Sequence, residues 1–147
     1  MQKKIFFMFF LFINTFTVCQ VKMGLELNTG LQAKDNLPFS FLGRTYFEVD
    51  LDSAKDWRIS LPIGYHYRNP NSEFIIGLLL ERYITDIFES NLFLYGEAGF
   101  ITNKSSFYYG STIAFELPVS ILLKWICLEK YDLSFFYFGL SCNFLYM

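Results

Sequence analysis

Trp57–Tyr67 reads WRISLPIGYHY, and this stretch decides the fold. Its odd positions, Trp57, Ile59, Leu61, Ile63, Tyr65 and Tyr67, are aliphatic or aromatic. Its even positions, Arg58, Ser60, Pro62, Gly64 and His66, are small or polar. A period of two belongs to a strand, because successive side chains leave a pleated backbone on opposite sides. The neighbouring segments repeat the pattern.

Upstream, Val21, Met23, Leu25 and Leu27 alternate with Lys22, Gly24, Glu26 and Asn28, predicting a first strand followed by a loop over Thr29–Pro38. Phe39–Leu51 reads as a second strand, with Thr45, Phe47, Val49 and Leu51 on one face and Arg44, Tyr46, Glu48 and Asp50 on the other. Downstream, Asn69-Pro70-Asn71-Ser72 is a turn signal, since Asn and Pro both favour turn backbone angles. A fourth strand is expected over Glu73–Tyr83, a connection over Thr85–Asn91 and a fifth strand over Leu92–Thr102.

From Phe107 to Cys127 the alternation never breaks. A single strand of that length would run roughly 70 Å, so either it projects beyond the membrane or it hides a tight turn near Glu116–Pro118. The same run is no spanning helix: Glu116 and Lys124 would lie in lipid and Pro118 would break the helical ladder. A last strand is expected over Leu133–Met147. Ser60-Leu61-Pro62-Ile63-Gly64 echoes Glu116-Leu117-Pro118-Val119-Ser120, which suggests the same local role for the two prolines, near a strand start or a bulge.

Composition narrows the class. The 147 residues are 53% hydrophobic and 21% aromatic, too apolar for a disordered chain. Charge is mixed, with no basic run of the kind phosphate neutralisation needs, so nucleic acid is excluded as a partner. Residues 1–19 read as a signal peptide. Lys3 and Lys4 precede the apolar run Ile5–Ile13, and Thr17 and Cys19 stand at the −3 and −1 positions. The barrel domain would then be 20–147. Two lysines leave with the leader, so ten basic residues (12 − 2) face fourteen acidic ones, for a net charge near −4 (10 − 14).

Cys127 and Cys142 would lie on neighbouring strands joined near Glu129–Asp132. They would be several residues out of register, too far apart for a disulfide, which needs Cα atoms within about 7 Å. No metal-ligand set, phosphate loop or Ser-His-Asp order is present, and no cofactor is expected.

Alternation alone fits a soluble barrel with an apolar interior, or a membrane barrel with an apolar exterior. Three features favour the membrane. Trp57 and Tyr65 are separated by about 27 Å of strand, or roughly 20 Å along the normal at a tilt of about 40°. That approaches the apolar band of such barrels, and Trp and Tyr favour its interfaces. Trp125, Tyr67 and Tyr146 join them as expected interface aromatics. The opposite faces carry Arg44, Glu48, Arg58, Glu81, Glu97, Glu116 and Lys124, which suit a polar interior of paired charges, Arg44 and Arg58 pairing with Glu48, Glu97 or Glu116. Ile75 and Leu79 on the polar face of the fourth strand would make a poor water-facing surface.

Through its leader, the LPIGYHYR, ELPVSILLKW and LYGEAGF strands and the terminal GLSCNFLYM, the chain resembles the small outer-membrane β-barrel proteins of Gram-negative bacteria. The resemblance implies an all-β, antiparallel up-and-down transmembrane barrel, located in the outer membrane, with outer-membrane lipid and the barrel-assembly machinery as partners. That machinery reads a terminal aromatic in such proteins, whereas Met147 follows Tyr146 here. With both termini on the periplasmic side the strand number must be even, which gives eight.

Eight strands enclose a space that side chains can fill, so no diffusion pore is expected. The first functional expectation is therefore a structural or surface-interaction role without catalysis. Two alternatives stand beside it. One is an outer-membrane lipid-modifying hydrolase using His66, although Ser60 is about 20 Å away along the same strand and Ser120 has no assigned place beside it. The other is a secreted soluble barrel holding an apolar ligand.

Overall fold

The computed structural model describes residues 21–33, 39–52, 54–68, 71–88, 90–102, 106–129 and 133–146. The leader expected over 1–19 lies outside them. Eight antiparallel strands follow one another in sequence order: β1 (Val21–Gln32), β2 (Phe39–Asp50), β3 (Trp57–Arg68), β4 (Asn71–Ile87), β5 (Ser90–Ile101), β6 (Ser106–Glu116), β7 (Ser120–Leu128) and β8 (Leu133–Tyr146). Each pairs with its neighbours, and β1 pairs with β8 to close the barrel. Closure removes the unpaired edges that an open sheet would present. We call the end that carries Val21 and Tyr146 the terminal end and the other the distal end.

The long alternating run divides as its length demands: β6 stops at Glu116 and β7 starts at Ser120. Several boundaries differ from expectation, among them the start of β4 at Asn71, inside the expected turn. β1 continues through Thr29 to Gln32, because these positions stay paired with Phe41 to Phe39 on β2 and with β8. β4 runs past Tyr83 to Ile87, and β5 starts at Ser90. An irregularity between Tyr83 and Thr85 absorbs the mismatch that the local sequence suggested was a strand end. In β8 a bulge opposite Met23/Gly24 inserts one residue, so Phe144 and Leu145 both face outward and the strict alternation expected there is interrupted. The register then sets Tyr146 opposite Lys22, and its side chain lies outside the described residues.

The two prolines do different jobs. Pro118 lies in the exposed turn between β6 and β7. Pro62 sits inside β3 and is fully buried; the β3–β4 register runs Ser60↔Leu79 and resumes at Ile63↔Ile76, skipping it. A residue without an N–H interrupts one ladder and leaves the other, Tyr46↔Pro62, in place.

Cys127 stands opposite Ser134, while Cys142 stands opposite Leu25 next to the Ser120↔Ser141 pair. The thiols are out of register and both are free.

The burial pattern is inverted relative to a water-soluble domain. Leu27, Leu61, Leu78, Leu94, Ile113, Leu123 and Phe138 are among the exposed outward side chains, each over 40% accessible. Polar and charged residues outnumber apolar ones among the described buried side chains.

Candidate functional site: the packed lumen

Inward-facing positions build three layers along the barrel axis. At the terminal end, Lys22 Nζ lies 2.7 Å from Glu48 Oε1 and 3.2 Å from Asp50 Oδ1. Arg58 reaches Glu116 through two donors at 2.7 and 3.2 Å. It also meets Asp50 at 3.3 Å and Glu48 at 3.6 Å, and its guanidinium carbon sits 4.1 Å from the centre of the Phe93 ring. An arginine holds such a site well, because its planar fork serves a carboxylate bidentately while its face rests on an aromatic ring.

At mid-height, Arg44 is 1% exposed and joins opposite walls. Its Nη2 donates to both oxygens of Glu26, at 3.0 and 2.8 Å, and its Nη1 donates to Glu97. Lys124 repeats the link, donating to Glu26 and standing 3.4 Å from Glu97. Two cations and two carboxylates thus alternate across the lumen. Asn28 Nδ2 and the Tyr108 hydroxyl donate to Glu26 and Glu97 at 2.6 and 2.9 Å. Such satisfaction matters, since a buried charge is tolerated only when it is paired and hydrogen-bonded.

The backbone makes room for these side chains. Gly64 stands opposite Arg44, and a Cβ there would lie 2.7 Å from the Arg44 Cα. Gly77 and Gly99 pair with each other beneath the Tyr108 ring, where added Cβ atoms would sit 2.3 and 2.4 Å from its atoms.

At the distal end, His66 is 3% exposed. Its Nε2 is 2.7 Å from the Tyr137 hydroxyl and its Nδ1 is 3.3 Å from Glu73 Oε2. Arg68 stands 3.3 Å from Glu73 Oε1. Phe135 packs edge-on to the imidazole at 4.9 Å, and an apolar cluster including Leu42, Ile75, Ile101, Ile126 and Leu128 fills the rest of this end.

All seven interior charges expected from sequence are therefore inward, and they do not form one cluster. Arg44, Glu97 and Lys124 meet at mid-height. Arg58, Glu48 and Glu116 meet at the terminal end. Glu81 accepts a hydrogen bond from Ser60 instead of joining either group. Several members were missed: Lys22, Glu26, Asp50, Glu73, Tyr108 and Tyr137. The same alternation marks each as inward, but which walls face each other across the lumen is not written in a strand's own sequence.

His66 is brought to neither serine named for it. Ser60 is held by Glu81, and Ser120 lies at the terminal end with its hydroxyl 3.5 Å from the Leu117 carbonyl. The imidazole is buried between Tyr137, Glu73 and Phe135.

The described interface aromatics, Trp57, Tyr65, Tyr67 and Trp125, fall on the outer wall. Trp57 lies near the terminal end, with Arg82 5.0 Å over its ring. Tyr65 and Tyr67 are exposed near the distal end, and Trp125 is half-buried against Tyr109 at 5.9 Å.

Neither a family model nor a curated protein matches the sequence. Among solved structures, a de novo designed transmembrane β-barrel superposes with a TM-score of 0.66 at 12% identity, over 84% of this chain and 95% of that one. The fold is that of a transmembrane β-barrel. Ail, the attachment invasion locus protein of Yersinia pestis, is 9% identical with a TM-score of 0.27, over 84% of this chain and 96% of that one, too loose an overlap to argue from.

Proposed function

We propose that the protein is an outer-membrane β-barrel with a structural or surface-interaction role, exported by its first nineteen residues and closed to free diffusion. One observation carries this reading: the Glu26–Arg44–Glu97–Lys124 cluster crosses the lumen at mid-height between four different strands. Charged side chains tied across the axis occupy the path a solute would take. The apolar outer wall, with Trp57 at one end and Tyr65 and Tyr67 at the other, supports lipid as its surroundings. Connections of six residues at most, as over 33–38 and 51–56, favour a compact scaffold over a large adhesive surface.

Two measurements test this. Fractionated membranes should release the protein only into detergent, and its gel mobility should change on heating. The purified barrel in a planar bilayer should show no steady conductance. Recovery as a soluble periplasmic monomer would overturn the membrane reading, and a stable open channel would overturn the closed lumen.

A further inference from the structure

Between the mid-height and terminal layers lies a carboxylate that the ion pairs pass by. Lys22 goes to Glu48 and Asp50, and Arg58 goes to Glu48, Asp50 and Glu116. Glu81 is 3% exposed and receives only the Ser60 hydroxyl on Oε1. Its Oε2 is buried and has no hydrogen-bond partner. Beside it is a partly enclosed cavity of about 20 Å³ lined by Glu81, Glu48, Ser60, Tyr46 and Ser141 among others. That is space for one water-sized particle.

We propose that this cavity is a binding site for a single small monovalent cation of the sodium class. Three features select that chemistry. The polar lining is oxygen throughout, which suits a hard cation and offers nothing to a soft one. Glu26 is held by Arg44 and Lys124 and Glu48 by Lys22 and Arg58, so Glu81 alone of the three lining carboxylates has no cationic partner. And the size of the cavity leaves room for a bare ion but not for one with its hydration shell. Magnesium, which keeps several of its waters, would not fit the volume. The ion would complete the coordination of Oε2 and bridge β3, β4 and β2 from inside, where a carboxylate without a partner would otherwise oppose folding.

The test uses the full barrel refolded in detergent at pH 8, with thermal midpoints measured in sodium chloride and in tetramethylammonium chloride at equal ionic strength. Tetramethylammonium is too large for the cavity. Sodium should raise the wild-type midpoint in a saturable way, by roughly 5–10 °C at a hundred times its dissociation constant. Glu81→Gln, which keeps the size and removes the charge, should give one midpoint in both salts. Equal wild-type midpoints would overturn the proposal and leave Glu81 as a protonated acid; a sodium effect that survives in Glu81→Gln would place the ion elsewhere. If Glu81→Gln does not refold, the wild-type midpoint is titrated with sodium and with rubidium chloride at equal ionic strength: a saturable rise with sodium that exceeds the rise with rubidium supports the site, and an equal response to both refutes it.

Discussion

Replacing Arg44 with methionine removes one of the two cations that tie Glu26 to Glu97 across the lumen. Arg44 is among the largest fully buried side chains and donates three hydrogen bonds to these two carboxylates. After the change Lys124 is the remaining cation between them, at the cost of one net negative charge in a closed space. Removing one partner of a buried ion pair typically costs about 3–5 kcal/mol, and the upper half of that range is expected here because two carboxylates are affected. The assay is urea unfolding in detergent micelles, followed by the loss of the folded, fast-migrating band in unheated gels. The double variant Arg44→Met/Glu97→Gln restores neutrality, since one carboxylate then faces one lysine. It should recover at least about 1 kcal/mol relative to the sum of the single changes, within the usual range for residues of one network. An Arg44→Met barrel within about 0.5 kcal/mol of wild type, or strictly additive single and double variants, would refute the view that this cluster holds the barrel's centre.

Three further outcomes follow from the geometry. Gly99→Ala places a methyl 2.4 Å from the Tyr108 ring and 2.5 Å from the Ile76 carbonyl oxygen and should cost about 1–3 kcal/mol in the same unfolding assay. Leu123→Arg on the outer wall should cost about 2–4 kcal/mol and Tyr65→Arg near the distal rim no more than about 1 kcal/mol, a depth dependence that a water-exposed wall would lack. His66→Ala should lower stability by about 1–3 kcal/mol, because Tyr137 and Glu73 lose a buried partner. It should leave the lipid composition of the host membrane as it is with the wild-type protein, read by mass spectrometry of extracted lipid.

Much of the barrel was legible because its chemistry is local. Alternation set Arg44, Glu48, Arg58, Glu97 and Lys124 on the polar faces, the aromatic borders of the apolar faces turned those charges inward, and the length of the Phe107–Cys127 run pointed to a turn near where β6 ends. What stayed hidden is set by geometry between strands. The bulge in β8 falls within Asn143-Phe144-Leu145, where two apolar neighbours serve the outer wall equally well and no residue type marks the slip. Pro62 and Pro118 sit in similar pentapeptides, yet one is buried mid-strand and the other turns the chain; the difference lies in what pairs alongside. Lys22 and Glu26 were visible as inward residues of β1, but their partners on β2 and β7 depend on the stagger of the closed sheet. Glu73 and Tyr137 around His66 come from β4 and β8, so sequence distance concealed that environment too.

The central charge cluster also bears on how the barrel comes together. The Arg44–Glu26 contact is available to the first hairpin alone, since β1 and β2 are adjacent. Arg44 to Glu97 spans 53 residues, and Lys124 to Glu26 spans 98. Those links exist only once the sheet has curled far enough for opposite walls to meet. A half-formed sheet in lipid would carry Glu97 and Lys124 without partners, each a costly group in hydrocarbon. The same four side chains that block the lumen thus act as a proofreading device: they penalise every open intermediate and reward only the ring with its first and last strands joined.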